Sequence, residues 1–207
     1  ALILFATLGM MLMAAGTHLI VIFLGLETMS ISIYILAGML REDRRSVESA
    51  FKYFLLGAFA TGFLLYGIAF LYGATGSLYL KDIASYIASK KLLDNPMILM
   101  SLAFLTIGFG FKIAAVPFHM WTPDVYEGAP TSITAFMATG VKAAGFSALI
   151  RVFFTALPEF RPDWTSIMWL IAVATMTVGN IIAISQNNIK RMLAYSSIAH
   201  AGYILVA

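Results

Sequence analysis

The stretch FKIAAVPFHMWTPDVYEGAP, residues 111–130, decides how this chain folds. It holds one lysine, one histidine, two acidic residues and three prolines within 20 residues, and it directly follows the apolar run SLAFLTIGFG. Pro117 lacks a backbone N–H and its ring clashes with the preceding helical turn, so it breaks a helix. Non-helical backbone at membrane depth is tolerated only where protein buries it or it lines a watery cavity. The stretch therefore predicts a discontinuous helix with a polar site at the break.

The composition predicts an integral membrane protein of the all-α class, a polytopic transmembrane helix bundle. Hydrophobic residues make up 61% of the 207 residues and charged residues 11%, whereas soluble domains carry about 25% charged residues. The basic residues are scattered and form no stripe, which argues against nucleic-acid binding. With no cysteine in the chain, disulfides, thiolate metal sites and iron–sulfur clusters are excluded. We expect no metal and no redox cofactor in this chain.

Seven membrane segments are predicted from runs of apolar residues. The first residue is not Met and the last residues lie within an apolar run, so we expect a fragment of a larger protein. A short amphipathic helix at the membrane interface is expected within the polar stretch 73–96, in KDIASYIASKKLLDN. The seven segments are 1–15, 18–40, 48–72, 96–116, 131–157, 165–185 and 192–207.

Alternation of these segments places the turns 41–49 and 186–191 on one side of the membrane. That side carries five basic residues, Arg41, Arg44, Arg45, Lys190 and Arg191. The other side carries four, Lys81, Lys90, Lys91 and Arg161. Because positive charge is enriched in cytoplasmic loops, we expect the first pair of turns in the cytoplasm.

Two ionisable residues, Glu27 and Lys52, fall within neighbouring membrane segments. A charge at bilayer depth costs at least about 2.5–3.5 kcal/mol, so each needs a partner or a function. A Glu27–Lys52 pair across adjacent antiparallel helices would satisfy both. Two structural alternatives stay open: a protonated, hydrogen-bonded Glu27 in the core, and a Lys52 that reaches the interface along its flexible stem.

Lys112 and Lys142 lie deep in their segments, and they are the main candidates for proton transfer. Burial disfavours the charged form of a lysine and neighbouring charges shift that balance, so such a lysine can act as a proton switch. His119 follows the break and titrates near physiological pH, although a plain proline kink with a structural histidine is the alternative. His200 lies beside Tyr195, Ser196 and Ser197, where a polar seam and a proton relay are equally open.

Four blocks of the sequence closely resemble the subunit N family of bacterial NADH-quinone oxidoreductase, respiratory complex I. They are FLGLETMSISIYILAG, FKYFLLGAFATGFLLYGIAFLYGATGS, KIAAVPFHMWTPDVYEGAPTSITAFMATGVKAAGF and QNNIKRMLAYSSIAHAGYILVA. The resemblance implies an antiporter-like fold of 14 helices with two inverted five-helix repeats. Residues 1–207 would then form a single transmembrane domain, with the first repeat at about 1–157 and the start of the second at about 165–207.

The resemblance also implies which residues move protons. The family's helix-five glutamate falls on Glu27, its helix-six lysine on Lys52, and its broken-helix lysine on Lys112. The nearby histidine falls on His119 and the helix-eight lysine on Lys142. These are the residues that burial cost alone had singled out, with His200 as a further candidate.

The function expected from the resemblance is proton translocation by a translocase subunit in the bacterial inner membrane. FMN, iron–sulfur clusters and quinone would bind to other subunits of the complex. The partners would be other membrane subunits, including sister antiporter-like subunits, together with the lipid bilayer and protons. Two alternatives remain: a subunit of a multisubunit sodium/proton antiporter or membrane-bound hydrogenase, and a non-conducting scaffold bundle, which would not need four buried charges.

Overall fold

The computed structural model describes residues 1–90, 92 and 95–207, and it confirms the all-α prediction. A π-helical turn, Met137–Val141, joins α7 to α8, and a 3-10 turn, Pro158–Phe160, precedes α9. The helices are α1 Leu2–Ala15, α2 Leu19–Ala37, α3 Arg44–Thr75, α4 Leu80–Lys90, α5 Pro96–Ile113, α6 Trp121–Gly128, α7 Thr131–Phe136, α8 Lys142–Ala156, α9 Arg161–Ile184 and α10 Ile189–Val206.

Five of the predicted membrane segments are long and apolar enough to cross a bilayer. They comprise α2, α3, α5, the continuous unit from α7 to α8, and α9 with its leading turn. α1 forms where predicted, but its 14 residues span only about 21 Å at 1.5 Å per residue, less than the bilayer core of about 30 Å. α10 also forms where predicted, although Lys190 and Arg191 occupy its first turn.

α3 is longer than the predicted segment 48–72 because both of its ends are capped beyond that segment. The Asp43 side chain accepts a hydrogen bond from the Arg45 N–H at 2.9 Å, which lets the helix begin inside the charged turn. Gly76 ends the helix in the left-handed region, with φ of 71°, a conformation that glycine adopts without steric penalty. Lys52 therefore lies two turns inside α3, eight residues after its first residue.

Close approach of backbones at glycine holds pairs of neighbouring helices together. In α1 and α2, Gly9 and Gly25 face each other, and a Cβ on Gly9 would lie 2.5 Å from the Gly25 carbonyl oxygen. In α9 and α10, a Cβ on Gly179 would lie 2.9 Å from the Ala199 nitrogen. Small residues at helix contacts allow this packing in membranes, where apolar surface alone gives little drive to associate.

The predicted interfacial helix is α4, which ends at Lys90. Leu80, Ile83 and Ile87 form its buried face, a spacing typical of an amphipathic helix. Lys91, Leu93 and Asp94 lie outside the described residues. The side of the membrane expected for Lys91 therefore stays a prediction. The assignment of α4 to the membrane interface stays a prediction.

The predicted break is confirmed. It begins at Ala114, three residues before Pro117. α5 ends at Ile113, and Ala114 adopts the left-handed region with φ of 60°. Protein groups satisfy the unwound backbone: Trp121 Nε1 donates to the Phe111 carbonyl at 3.0 Å, and the Val116 N–H donates to Thr175 Oγ1 at 3.0 Å. The broken segment is thus a built feature, since its polar backbone is paired.

Cysteine labelling would test the topology, because the chain has no native cysteine. We expect Arg44→Cys and Asn187→Cys, both exposed, to react with an impermeant maleimide from one side of sealed membranes. Lys90→Cys is expected to react from the other side. Asn188 is avoided because its side chain caps α10. Labelling of Arg44→Cys and Lys90→Cys from the same side would show that the number of membrane crossings between them is wrong.

Candidate functional site

Lys112, in the last turn of α5, is a buried lysine held by a hydroxyl. The residue is 3% exposed, and its Nζ donates to Ser30 Oγ on α2 at 2.7 Å. Ser30 Oγ in turn donates to the Leu26 carbonyl. The rings of Tyr34 and Tyr53 lie 6.0 and 5.8 Å from Nζ, within range of a cation–π attraction.

Lys142, the first residue of α8, is a second buried lysine. It is 6% exposed, and its Nζ donates to the Ser197 backbone carbonyl at 2.6 Å and to Ser197 Oγ at 2.7 Å. The π-helical turn immediately precedes it, and such turns recur at functional sites. Lys142 therefore ties α8 to α10.

The two lysines are neighbours whose ammonium groups point to different helices. A Cβ on Gly145, one turn after Lys142, would lie 3.5 Å from Lys112 Cγ, so the stem of Lys112 packs against α8. The Lys112 head binds α2, whereas the Lys142 head binds α10. Within the part of the chain that the structure describes, neither ammonium has a carboxylate within 4.0 Å.

Glu27 reaches the surroundings of Lys112 through a threonine. Thr61 Oγ1 on α3 donates to Glu27 Oε1 at 2.9 Å. Thr61 and Lys112 line the same cavity of about 10 Å³, together with Tyr34. The cavity has about the volume of one water, and its polar lining consists of Tyr34, Thr61 and Lys112.

The expected Glu27–Lys52 pair does not form. Lys52 Nζ instead donates to Asp124 Oδ2 and contacts Glu48 Oε1, each at 2.8 Å, and its side chain is 42% exposed. The register of α2 against α3 places Glu27 opposite Thr61, nine residues beyond Lys52, or about 14 Å along a helix axis. The flexible stem of Lys52 instead extends its charged group into a polar region, as in the structural alternative given for this lysine.

That polar region is an ionic cluster of α3, α6 and α10, defined here by Lys52, Asp124, Glu127 and Arg191. Arg191 Nη1 donates to Asp124 Oδ1 at 2.7 Å and to Glu127 Oε2 at 3.0 Å. Asn188 Nδ2 donates to Glu127 Oε1 at 2.9 Å. In the cluster, the hydrogen bonds from Lys52 and Arg191 hold the second half of the broken helix against both neighbours.

Sequence reasoning missed this ionic cluster, although a signal was present. Asp124 and Glu127 are three residues apart, a spacing that puts both on one face of a helix. The turns expected on one side of the membrane, 41–49 and 186–191, also flank them: Arg45 Nη1 lies 3.7 Å from Glu127 Oε1. Which side of the membrane they occupy stays a prediction.

The two candidate histidines, His119 and His200, lie outside the hydrogen bonds of both buried lysines. His119 is partly buried in the unwound segment, and its Nδ1 has no protein hydrogen-bond partner in the described chain. His200 is exposed, and its Nδ1 lies 2.8 Å from the Ser196 carbonyl. Searching the described residues finds no group of three or more His, Cys, Asp or Glu suited to a metal ion.

A family model described as NADH:quinone oxidoreductase/Mrp antiporter, transmembrane, matches residues 16–207. The chain is 60% identical over 204 residues to NADH-quinone oxidoreductase subunit N of Trichlorobacter lovleyi, covering 99% of this chain and 42% of that protein. It is 51% identical to subunit N of Gemmatimonas aurantiaca, covering 100% of this chain and 40% of that protein. The chain thus spans about two fifths of the length of these relatives.

Solved structures agree with these matches. A chain of respiratory complex I from Thermus thermophilus aligns with a TM-score of 0.85 at 47% identity, over 99% of this chain and 43% of that chain. An archaeal membrane-bound sulfane sulfur reductase aligns at 0.87 with 31% identity, over 100% of this chain and 42% of that chain. The Mrp complex of a Dietzia species aligns at 0.88 with 22% identity, over 99% and 38%, a likeness of fold alone.

Proposed function

Because the chain belongs to the transmembrane family of NADH:quinone oxidoreductase and Mrp antiporter subunits, we propose that it moves protons in a membrane subunit of an NADH-quinone oxidoreductase. The observation that carries the proposal is the pair of buried lysines, Lys112 and Lys142, held by serine hydroxyls instead of carboxylates. Ionisable groups inside a membrane protein are costly and are retained for function.

Lys112 is the proposed site at which a proton is taken up and released. Its protonated form is stabilised by the Ser30 hydroxyl and by the π faces of Tyr34 and Tyr53. The same form is opposed by the loss of hydration that burial imposes. A change in a nearby charge shifts the balance between these opposing effects, and in this proposal it switches the lysine between its two states.

Glu27 is the proposed source of that nearby charge, acting through Thr61 and the shared cavity. Lys142 is the proposed next acceptor, which hands the proton toward α10. Lys52 is proposed to act at the ionic cluster and not as the partner of Glu27. His119 and His200 remain candidates for proton exchange nearer to the polar ends of the path.

The preference for a complex I subunit over an Mrp antiporter subunit rests on identity. The relatives named NADH-quinone oxidoreductase subunit N reach 60% identity, whereas the Mrp chain reaches 22%. In this proposal, FMN, iron–sulfur clusters and quinone bind elsewhere in the complex, and the redox step there drives the charge movement. Neighbouring membrane subunits of a bacterial inner-membrane complex are the proposed partners.

The proposed domain organisation follows the antiporter-like fold. Residues 1–157, which include α1 to α8, would form the first repeat with its broken helix. Residues 165–207 would begin the second repeat with most of α9 and all of α10. The hydrogen bonds from Lys142 to Ser197 would then join the two repeats at a protonatable residue.

A Glu27→Gln variant tests the electrostatic role of Glu27. The glutamine carbonyl can still accept from Thr61, so packing should be preserved while the charge is lost. We expect NADH-driven proton uptake by sealed vesicles to fall about three- to tenfold, since one buried charge interaction of about 1 kcal/mol corresponds to roughly fivefold. Thr61→Val is expected to cause a smaller loss. Full proton uptake by an assembled Glu27→Gln complex would remove Glu27 from the mechanism.

A further inference from the structure

Two tyrosines close to the lysine site keep their hydroxyl groups inside the protein, and the ring of one of them, Tyr53, lies 5.8 Å from Lys112 Nζ. Tyr53 on α3 is 0% exposed and Tyr126 on α6 is 2% exposed. Neither hydroxyl has a protein hydrogen-bond partner among the described residues. Buried polar groups are nearly always hydrogen-bonded, so each hydroxyl calls for a bound water or for a role in moving a proton.

Contacts between rings connect the two tyrosines in one row. The row begins near Lys112, where the centroids of the Tyr34 and Tyr53 rings lie 4.7 Å apart. Trp121, the first residue of α6, stacks on Tyr53 at 4.3 Å with an angle of 7° between the planes. The Trp121 and Tyr126 rings lie 6.0 Å apart in an edge-to-face arrangement. The row therefore runs from the surroundings of Lys112 across the break to α6.

At each end of this row lies a serine that accepts a hydrogen bond from one of the buried lysines. Ser30, which accepts from Lys112, is a polar neighbour of the Tyr34 hydroxyl. Ser197, which accepts from Lys142, is the polar neighbour of the Tyr126 hydroxyl, beyond direct hydrogen-bond reach. The row of aromatic residues thus runs from the serine that accepts from Lys112 toward the serine that accepts from Lys142.

We propose that the hydroxyls of Tyr53 and Tyr126 carry the proton between Lys112 and Lys142, with water bound between them. The inference rests on the proposed function. In each step a hydroxyl or water oxygen accepts a proton on a lone pair and releases its own proton to the next oxygen. One O–H bond forms as another breaks, Lys112 becomes neutral, and the neutral amine of Lys142 ends with the proton. No oxidation or reduction occurs.

Packing alone does not account for these hydroxyls. Phenylalanine would give the same stack on Trp121 and would bury no unpaired polar atom. A purely structural role therefore predicts that Tyr53→Phe and Tyr126→Phe leave proton transport unchanged and keep or raise the thermal stability of the complex. A relay role predicts the same stability with impaired transport.

The experiment compares Tyr53→Phe and Tyr126→Phe with Tyr66→Phe in the intact, assembled complex. Tyr66 is on the same helix as Tyr53 and is 65% exposed, so its variant is the matched control. We expect each buried variant to lower NADH-driven proton uptake about tenfold, less than the hundredfold or more typical of removing a principal proton-transfer group, because water can replace part of the lost path. Their solvent isotope effect should rise, and the double variant should lose no more than the worse single one.

Wild-type proton uptake by both buried variants would overturn the relay. Lys112→Met, measured in parallel, separates this failure from failure of the proposed function. If Lys112→Met is impaired while the tyrosine variants are normal, the relay is wrong and the proposed function stands. If Lys112→Met is also normal, both are wrong.

Discussion

Replacing Lys112 with methionine is expected to reduce NADH-driven proton uptake by more than about tenfold while the complex still assembles. Methionine keeps most of the length and the apolar stem but cannot hold a proton. Removing a proton-transfer group typically costs about a hundredfold or more in rate. Since Lys112 is 3% exposed and has no carboxylate partner in the described chain, its loss leaves no buried charge unpaired. Proton uptake in sealed membrane vesicles, normalised to assembled complex, measures the effect.

Lys112→Arg separates proton transfer from a fixed charge. Arginine keeps the positive charge but does not release its proton in proteins. We expect this variant to be inactive as well, because the proposed mechanism needs a lysine that becomes neutral. An active Lys112→Arg complex together with an inactive Lys112→Met complex would show that only the charge is needed.

Replacing Gly25 with leucine is expected to prevent stable assembly of the membrane domain. A Cβ at Gly25 would lie 2.8 Å from both the Gly9 carbonyl oxygen and the Met13 nitrogen, so backbone and not a flexible side chain must move. Overpacking typically costs about 1–3 kcal/mol, and separating two helices adds to that cost. The yield of intact complex after detergent extraction measures the loss.

Gly62→Leu is the matched control for this prediction. Gly62 lies in α3, another membrane helix, and a Cβ there would meet no atom within 4 Å in the chain described here. We expect near-normal yield from this variant. Equal yields from Gly25→Leu and Gly62→Leu would contradict the close packing of α1 against α2.

The helices and the break could be predicted from the sequence because the membrane leaves the backbone few options. A lipid-exposed segment must satisfy its own N–H and C=O groups, so a long apolar run is a helix. Pro117 marks the break for the same reason, since its ring excludes a regular turn. The exact ends depend on local caps such as Asp43, which lengthened α3 beyond the apolar run.

The partners of the charged residues could not be predicted in the same way. Burial cost identified Lys112 and Lys142 as deep in the protein, and both are buried. The expected Glu27–Lys52 pair was wrong, because the partner of Lys52 is Asp124 of α6. Only tertiary packing brings that half of the broken helix to α3. The partner of Glu27 depends on helix register, and a nine-residue difference along α3 decides between Lys52 and Thr61.

The most direct test of proton transport through the two buried lysines is the proton flux in sealed proteoliposomes that contain the intact complex with Lys142→Met. Lys142 is chosen because its only hydrogen-bond acceptors among the described residues belong to Ser197, and methionine preserves its volume. The account predicts that protons moved per unit time fall by more than about tenfold, with assembly and NADH-oxidising subunits intact. A Lys142→Met complex that moves protons at the wild-type rate and with the wild-type number of protons per NADH would contradict it.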